Sequence, residues 1–153
     1  MNTALKGYGL YFAWLVAIVA TAGSLYYSEV RQFVPCTFCW YQRIFMYPLV
    51  LLLGVATFTK DEGVIKYALP LAVIGGLFAG YHVLDQNVPG FGAPELCSAG
   101  VPCGVKYVNY FGFISIPVMA LTAFTLISLT LAALKYWPLK HDRDVYTTEV
   151  TVR

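Results

Sequence analysis

The 153-residue sequence predicts an all-α membrane protein: a four-transmembrane-helix bundle with two extracytoplasmic, cysteine-bearing loops. Three observations predict it. Hydrophobic residues make up 59% of the chain and charged residues 12%, about half the charged share of roughly 25% in soluble domains. Mean hydropathy is +0.66, and a chain of about one domain's length cannot cover that much apolar surface in water. Four apolar runs approach or exceed the length of a spanning helix, about 20 residues, and all four cysteines fall between those runs. This balance excludes a soluble enzyme and a disordered tail. A net charge of +2 leaves no electrostatic footprint for nucleic acid.

The first span is expected over about 7–27. Lys6, the apolar stretch and Ala20-Thr21-Ala22 also resemble a cleavable signal peptide, but the run is long for that and continues to Tyr27. The second run is short if counted from Ile44. It becomes long enough if the helix starts near Thr37, with Trp40 and Tyr41 at the interface and Pro35 just ahead of the start. A helix over 37–59 would be roughly 34 Å long. The third and fourth spans are expected over 64–84 and about 111–134. Gly76-x-x-x-Gly80 in the third reads as a close-packing face. Residues 1–135 thus form the membrane domain, and the polar, non-periodic stretch 136–153 reads as a cytoplasmic tail.

Orientation follows from the basic residues. With the N-terminus cytoplasmic, the inside holds Lys6, Lys60, Lys66, Lys135, Lys140, Arg143 and Arg153, and the outside only Arg31, Arg43 and Lys106. Both termini are therefore expected in the cytoplasm of a multi-pass cell-membrane protein. Segments 28–43 and 85–110 then face out, and these carry the cysteines.

Cys36 and Cys39 form C-x-x-C at the mouth of the second helix; Cys97 and Cys103 share the third loop. An even count on the oxidising side of a membrane favours disulfides. Pairing Cys36 with Cys39 and Cys97 with Cys103 is the most local of three connectivities, and sequence alone leaves all three open. C-x-x-C closes so small a loop that it is a poor staple and a familiar redox arrangement. A zinc site is the other alternative, but the spacing C-x2-C, 57 residues, C-x5-C is untypical of a compact knuckle, and no histidine is near either pair in sequence. No metal is expected.

In the first turn of a helix the dipole favours Cys39 as a thiolate. Arg43, four residues on, shares its face and at roughly 6 Å would add about 2.8 kcal/mol of attraction at an effective dielectric near 20. Arg43 otherwise reads as a snorkelling membrane-edge residue; beside C-x-x-C it reads as a stabiliser of charge on an electron acceptor. Gln42 is a candidate hydrogen-bond partner for an acceptor carbonyl. His82, near the outer end of the third span with Asp85 and Gln86 following, is a candidate proton donor to a reduced acceptor or a packed interfacial histidine. A dithiol at a helix mouth meets both water and lipid. It can take electrons from a soluble protein and pass them to a lipid-soluble acceptor such as a quinone. The 26-residue third loop, rich in glycine and proline, is long enough to imply a task, and Tyr107, Tyr110 and Phe111 read as interfacial anchors.

The string Cys36-Thr37-Phe38-Cys39-Trp40-Tyr41-Gln42-Arg43 closely resembles the DsbB family of thiol–quinone oxidoreductases. The wider similarity, through Ile44-Phe45-Met46-Tyr47-Pro48 and Gly112-Phe113-Ile114-Ser115-Ile116-Pro117, looks most like the BdbC branch of Gram-positive bacteria and covers nearly all of 7–135. The resemblance implies a protein that re-oxidises an extracytoplasmic, thioredoxin-like thiol oxidase of the DsbA/BdbD kind. Electrons would pass to a membrane quinone, with menaquinone favoured over ubiquinone. By position, Cys97 would form the mixed disulfide with the partner, Cys103 would exchange with Cys36, and Cys39 would face the quinone with Arg43 assisting. His82 matches a family histidine near the outer end of the third helix. The short Cys97–Cys103 spacing departs from the better-studied branch.

Two alternatives make different demands. A vitamin K epoxide reductase-like enzyme resembles this chain in bundle and chemistry but carries its cysteine pairs in the reverse order. A disulfide-stapled membrane scaffold or assembly subunit would keep all four cysteines oxidised.

Overall fold

The computed structural model describes residues 3–88, 103–104, 108 and 114–136. Four long helices account for most of them: α1 Thr3–Leu25, α2 Thr37–Thr59, α3 Ile65–Asn87 and α4 Ile116–Tyr136. Each overlaps a helical segment long and apolar enough to cross a membrane. Each packs mainly on two neighbours, in the cyclic order α1–α2–α3–α4 and back to α1. Leu49, Leu53, Phe124, Ile127 and Leu131 fill the centre with no exposed surface. Ala13, Ala17, Ala68, Ala72 and Ala79 are equally buried, so contact between helices runs through small residues, as bilayer packing favours. The periphery is apolar as well: Leu51, Phe58, Tyr67, Leu77 and Leu129 are all more than 60% exposed. A surface of that kind suits hydrocarbon and not water.

Local chemistry sets the helix ends. α1 runs into a π-helical turn, Tyr26–Val30, three residues past the expected end of the first span. α2 stops at Lys60, whose left-handed conformation (φ 56°) caps the helix and whose N–H reaches the Ala56 carbonyl. Asp61 Oδ1 then accepts the Gly63 N–H at 2.8 Å, starting the short turn Glu62–Val64 that delivers the chain to α3. So short a link makes α2 and α3 antiparallel neighbours. α3 continues to Asn87, past the expected limit at 84. α4 begins at Ile116 and not near 111: the Ser115 carbonyl accepts the Met119 N–H at 3.1 Å, and Pro117 occupies the first turn, where a missing N–H costs nothing.

The close-packing glycine of α3 is Gly75, outside the expected Gly76/Gly80 pair. A Cβ at Gly75 would overlap the Phe124 ring, whereas at Gly76 and Gly80 it would make ordinary contacts at 3.5 and 3.9 Å. The face toward α4 is set by where Phe124 sits, one position off the motif. The expected tail, from 137 onward, and the expected anchors Tyr107, Tyr110 and Phe111 lie outside the described residues, as do Cys97 and Lys106.

Candidate active site

The outer ends of α2 and α3 build the site. Cys36 is the N-cap of α2, with extended backbone (φ −71°, ψ 169°). Its carbonyl accepts the Trp40 N–H at 3.1 Å, and its sulfur accepts the Cys39 N–H at 3.4 Å. A cysteine thus stands where serine or aspartate usually satisfies the first free amides of a helix. One turn of α2 brings Cys39 Sγ to 2.7 Å from Cys36 Sγ, and both are free thiols.

Beyond Cys39 the next two side chains diverge. Gln42 turns toward α3, and its Nε2 donates to His82 Nδ1 at 3.1 Å. That bond leaves the proton of a neutral ring on Nε2. Nε2 in turn lies 3.2 Å from the Cys103 carbonyl and 3.7 Å from Cys36 Sγ. Gln86, one turn further along α3, donates to the same carbonyl at 3.4 Å. His82 is 1% exposed, and Phe38 covers its ring at a centroid distance of 5.5 Å. Cys103 is disulfide-bonded, 2% exposed, and packs with Cys36 and Phe38. The histidine therefore sits between a free sulfur and the backbone of a disulfide cysteine.

Arg43 turns the other way, toward α1. Its Nε donates to Ser24 Oγ and its Nη2 to the Ser24 carbonyl, both at 2.9 Å, while Trp40 lies under the guanidinium at 5.4 Å. The residue is only 9% exposed, and among the described residues no carboxylate pairs with it. A buried cation without a counter-charge is costly, so this wall of the site suits a ligand that carries or develops negative charge.

Both branches open onto one cavity of about 830 Å³. Its wall includes Cys36, Cys39, Gln42, Arg43, His82 and Gln86, and much of the rest is apolar side chains of α1 and α4. That volume lies within the range of small-molecule sites, ~300–1,000 Å³.

The donors converge on Cys36 and not, as sequence suggested, on Cys39. The Cys36 thiol is held down to about 4, chiefly by the hydrogen bond from the Cys39 thiol. His82 and the Cys39 N–H add to this against the opposing effect of burial. The physical reason is the cap position, where the sulfur itself accepts the helix's free amide. Arg43, expected to act on Cys39, does so through its charge, while its Nε and Nη2 hydrogen bonds go to Ser24. Gln42 and His82, expected to face an acceptor, contact each other as well as lining the cavity. Two contributors were missed. Gln86 carried a sequence signal, since it follows His82 by four residues and shares its face; Ser24 carried none.

The chain also matches known proteins over most of its length. The family described as "Disulfide bond formation protein DsbB" matches residues 8–134. Disulfide bond formation protein C of Bacillus subtilis (strain 168) is 56% identical over 126 residues, covering 82% of this chain and 91% of the relative. A probable disulfide formation protein of Coxiella burnetii (strain RSA 493 / Nine Mile phase I) is 49% identical over 128 residues, covering 83% and 87% respectively. Probable disulfide formation protein C 1 of Bacillus anthracis is 48% identical over 122 residues, covering 80% and 88%. No solved structure matches the chain.

Proposed function

Since the chain belongs to the DsbB family of disulfide bond formation proteins, we propose that it is a membrane protein-dithiol:quinone oxidoreductase. It re-oxidises an extracytoplasmic, thioredoxin-like thiol oxidase and so supports disulfide formation in exported proteins. The observation that carries this reading is the cavity: its wall holds a free dithiol 2.7 Å apart and a buried arginine, and His82 in the same wall contacts the backbone of a disulfide cysteine.

The relay balances in three exchanges. A thiolate of the partner attacks Cys97 of a Cys97–Cys103 disulfide, and the partner's second thiol resolves the mixed disulfide, leaving Cys97 and Cys103 reduced. Cys103 then attacks Cys36 of a Cys36–Cys39 disulfide and displaces Cys39. Cys97 attacks Cys103 and releases Cys36, so the electron pair now resides on Cys36 and Cys39. A bound quinone accepts that pair with two protons and leaves as the hydroquinone. Cys39 and Arg43 line the cavity that would hold the quinone ring, and the apolar wall suits its tail. Arg43 favours negative charge on the acceptor. His82 holds a proton at Nε2, beside both Cys36 and the Cys103 backbone.

The basic residues support cytoplasmic termini and an outward site. Menaquinone is the favoured acceptor on the resemblance to the Gram-positive branch. The test is thiol trapping of the four cysteines in cells with and without respiratory quinone, with an alkylating reagent that shifts gel mobility. Free thiols should accumulate on depletion and disappear when quinone returns. Four cysteines that stay oxidised regardless would remove the relay and leave the stapled scaffold.

A further inference from the structure

We propose that the reduced site is also a binding site for a soft divalent cation of the zinc group, and that such an ion arrests the protein in its dithiol state. Cys36 Sγ, Cys39 Sγ and a ring nitrogen of His82 all lie within 4.8 Å of one another. Zn–S bonds of about 2.3 Å and Zn–N bonds of about 2.0–2.1 Å place tetrahedral ligand atoms roughly 3.5–3.8 Å apart. The Cys36 Sγ to His82 Nε2 distance, 3.7 Å, already meets this. The two sulfurs, now 2.7 Å apart, must separate by about 1 Å, within reach of a small rotation of the Cys39 side chain. The sequence hides this site, because His82 stands 46 residues from Cys36 and only the packing of α2 on α3 unites them.

The surroundings complete the ligand set. When Nε2 binds the ion, the ring proton moves to Nδ1, where Gln42 lies at 3.1 Å. Reversing the Gln42 amide presents its carbonyl oxygen to that proton, the outer partner that metal-bound histidines usually have. The fourth position opens to the cavity, leaving room for water or a foreign thiolate. Binding joins both sulfurs to the metal as thiolates, any thiol proton passing to solvent; no electron moves.

The site exists in one redox state only. Sulfurs joined in a disulfide offer no thiolate, so oxidation removes two of the three ligands. Conversely, the ion occupies both nucleophiles and blocks their return to the disulfide. This arrest rests on the relay proposed above; the binding does not.

The test uses the full-length chain in detergent micelles, reduced and freed of reductant under anaerobic conditions, with no quinone or partner present. Cadmium ion is titrated and the ultraviolet thiolate-to-cadmium charge-transfer band is read. Reduced Cys97→Ser/Cys103→Ser protein, whose remaining thiols are Cys36 and Cys39, should take up one equivalent. Oxidised wild type, the fold control that needs no substitution, should take up none. His82→Ala should weaken binding at least tenfold, and Gln42→Ala about tenfold, the effect typical of losing an outer partner. Reduced protein that binds cadmium no better than oxidised protein overturns the site. Cadmium uptake by a protein that never reduces quinone leaves the site standing and removes the relay. In a second assay with quinone added to the loaded protein, quinone reduction undiminished by the bound equivalent removes the arrest.

Discussion

The clearest quantitative consequence of the cap geometry is the pH profile of Cys36 in the reduced protein. Its thiol is held down to about 4, against about 8.5 for an ordinary thiol. At pH 6 such a group is roughly 99% thiolate, whereas an ordinary thiol is about 0.3% ionised. The gain in thiolate is therefore about 300-fold. It is offset by weaker nucleophilicity: with a Brønsted slope of about 0.4–0.5 over some 4.5 pH units, each thiolate reacts about 100-fold more slowly. The two nearly cancel at pH 6, so the absolute rate says little and the shape decides. Alkylation of Cys36 by iodoacetamide, followed by peptide mass spectrometry, should be nearly flat from pH 5 to 8. An ordinary thiol gains close to tenfold per pH unit over that range.

The cause is tested in the same assay. The hydrogen bond from the Cys39 thiol is the largest contribution, so Cys39→Ala should move the midpoint up the most. His82→Ala should move it up less. A wild-type profile that climbs tenfold per unit, unchanged by Cys39→Ala, would falsify the assignment of the thiolate to Cys36. The sign for stability follows from a folded value below the unfolded one. The reduced protein's added stability is fully present above the ordinary thiol range and is lost as pH falls toward about 4. Thermal unfolding of the reduced protein across that window should show it, and the oxidised protein, with no free Cys36, should lack it.

Three further outcomes follow from particular contacts. Arg43→Ala removes the buried cation and both bonds to Ser24; a charged hydrogen bond is worth about 1.5–3 kcal/mol, so KM for quinone should rise roughly 10-fold to 150-fold while thiol exchange with the partner survives. If both activities fall together, Arg43 is structural. Ser24→Ala keeps the backbone acceptor and loses one bond, so quinone KM should rise only about 2-fold to 10-fold, at ~0.5–1.5 kcal/mol; an effect as large as that of Arg43→Ala would mean the serine does more than hold the guanidinium. Gly75→Val forces a side chain into the Phe124 ring and should cost about 1–3 kcal/mol, whereas Gly76→Ala meets only ordinary contact and should be neutral or gain up to ~1 kcal/mol. Equal thermal shifts for the two would contradict the packing described for α3 on α4.

The four helices were readable because bilayer spans announce themselves by length and apolarity, and a short link such as Lys60–Asp61 forces antiparallel neighbours. C-x-x-C before an apolar run gave the dithiol and its place at a helix mouth. What the sequence withheld depended on helix rotation and on distant partners. Gln42 and Arg43 are adjacent, and a rotation of about 100° between them sends one to His82 and the other to Ser24. Nothing local says which goes where. The error over the thiolate has the same root. Periodicity puts Cys39 within the first turn but does not reveal that Cys36 caps the helix with its own sulfur, which follows from the extended backbone at that residue.

That correction bears on the direction of the proposed relay. When Cys97 attacks the Cys36–Cys103 mixed disulfide, the leaving group is Cys36, and thiol exchange runs faster when the leaving thiol has a low pKa. The N-terminal end of α2, the Cys39 thiol and His82 all stabilise the departing charge at that atom. Electrons are thus drawn toward the pair that faces the cavity. A stabilised reduced form also makes the Cys36–Cys39 disulfide a stronger oxidant, as each 30 mV corresponds to about 1.4 kcal/mol for two electrons. The same thiolate serves the second half of the cycle. Cys36 is already ionised near neutral pH, so when the quinone takes the electron pair and the Cys39 proton, the two sulfurs can join without a separate base to deprotonate Cys36. A single cap residue then acts as leaving group in one half-reaction and nucleophile in the next, and its charge is set in both by groups that α2 and α3 hold in place.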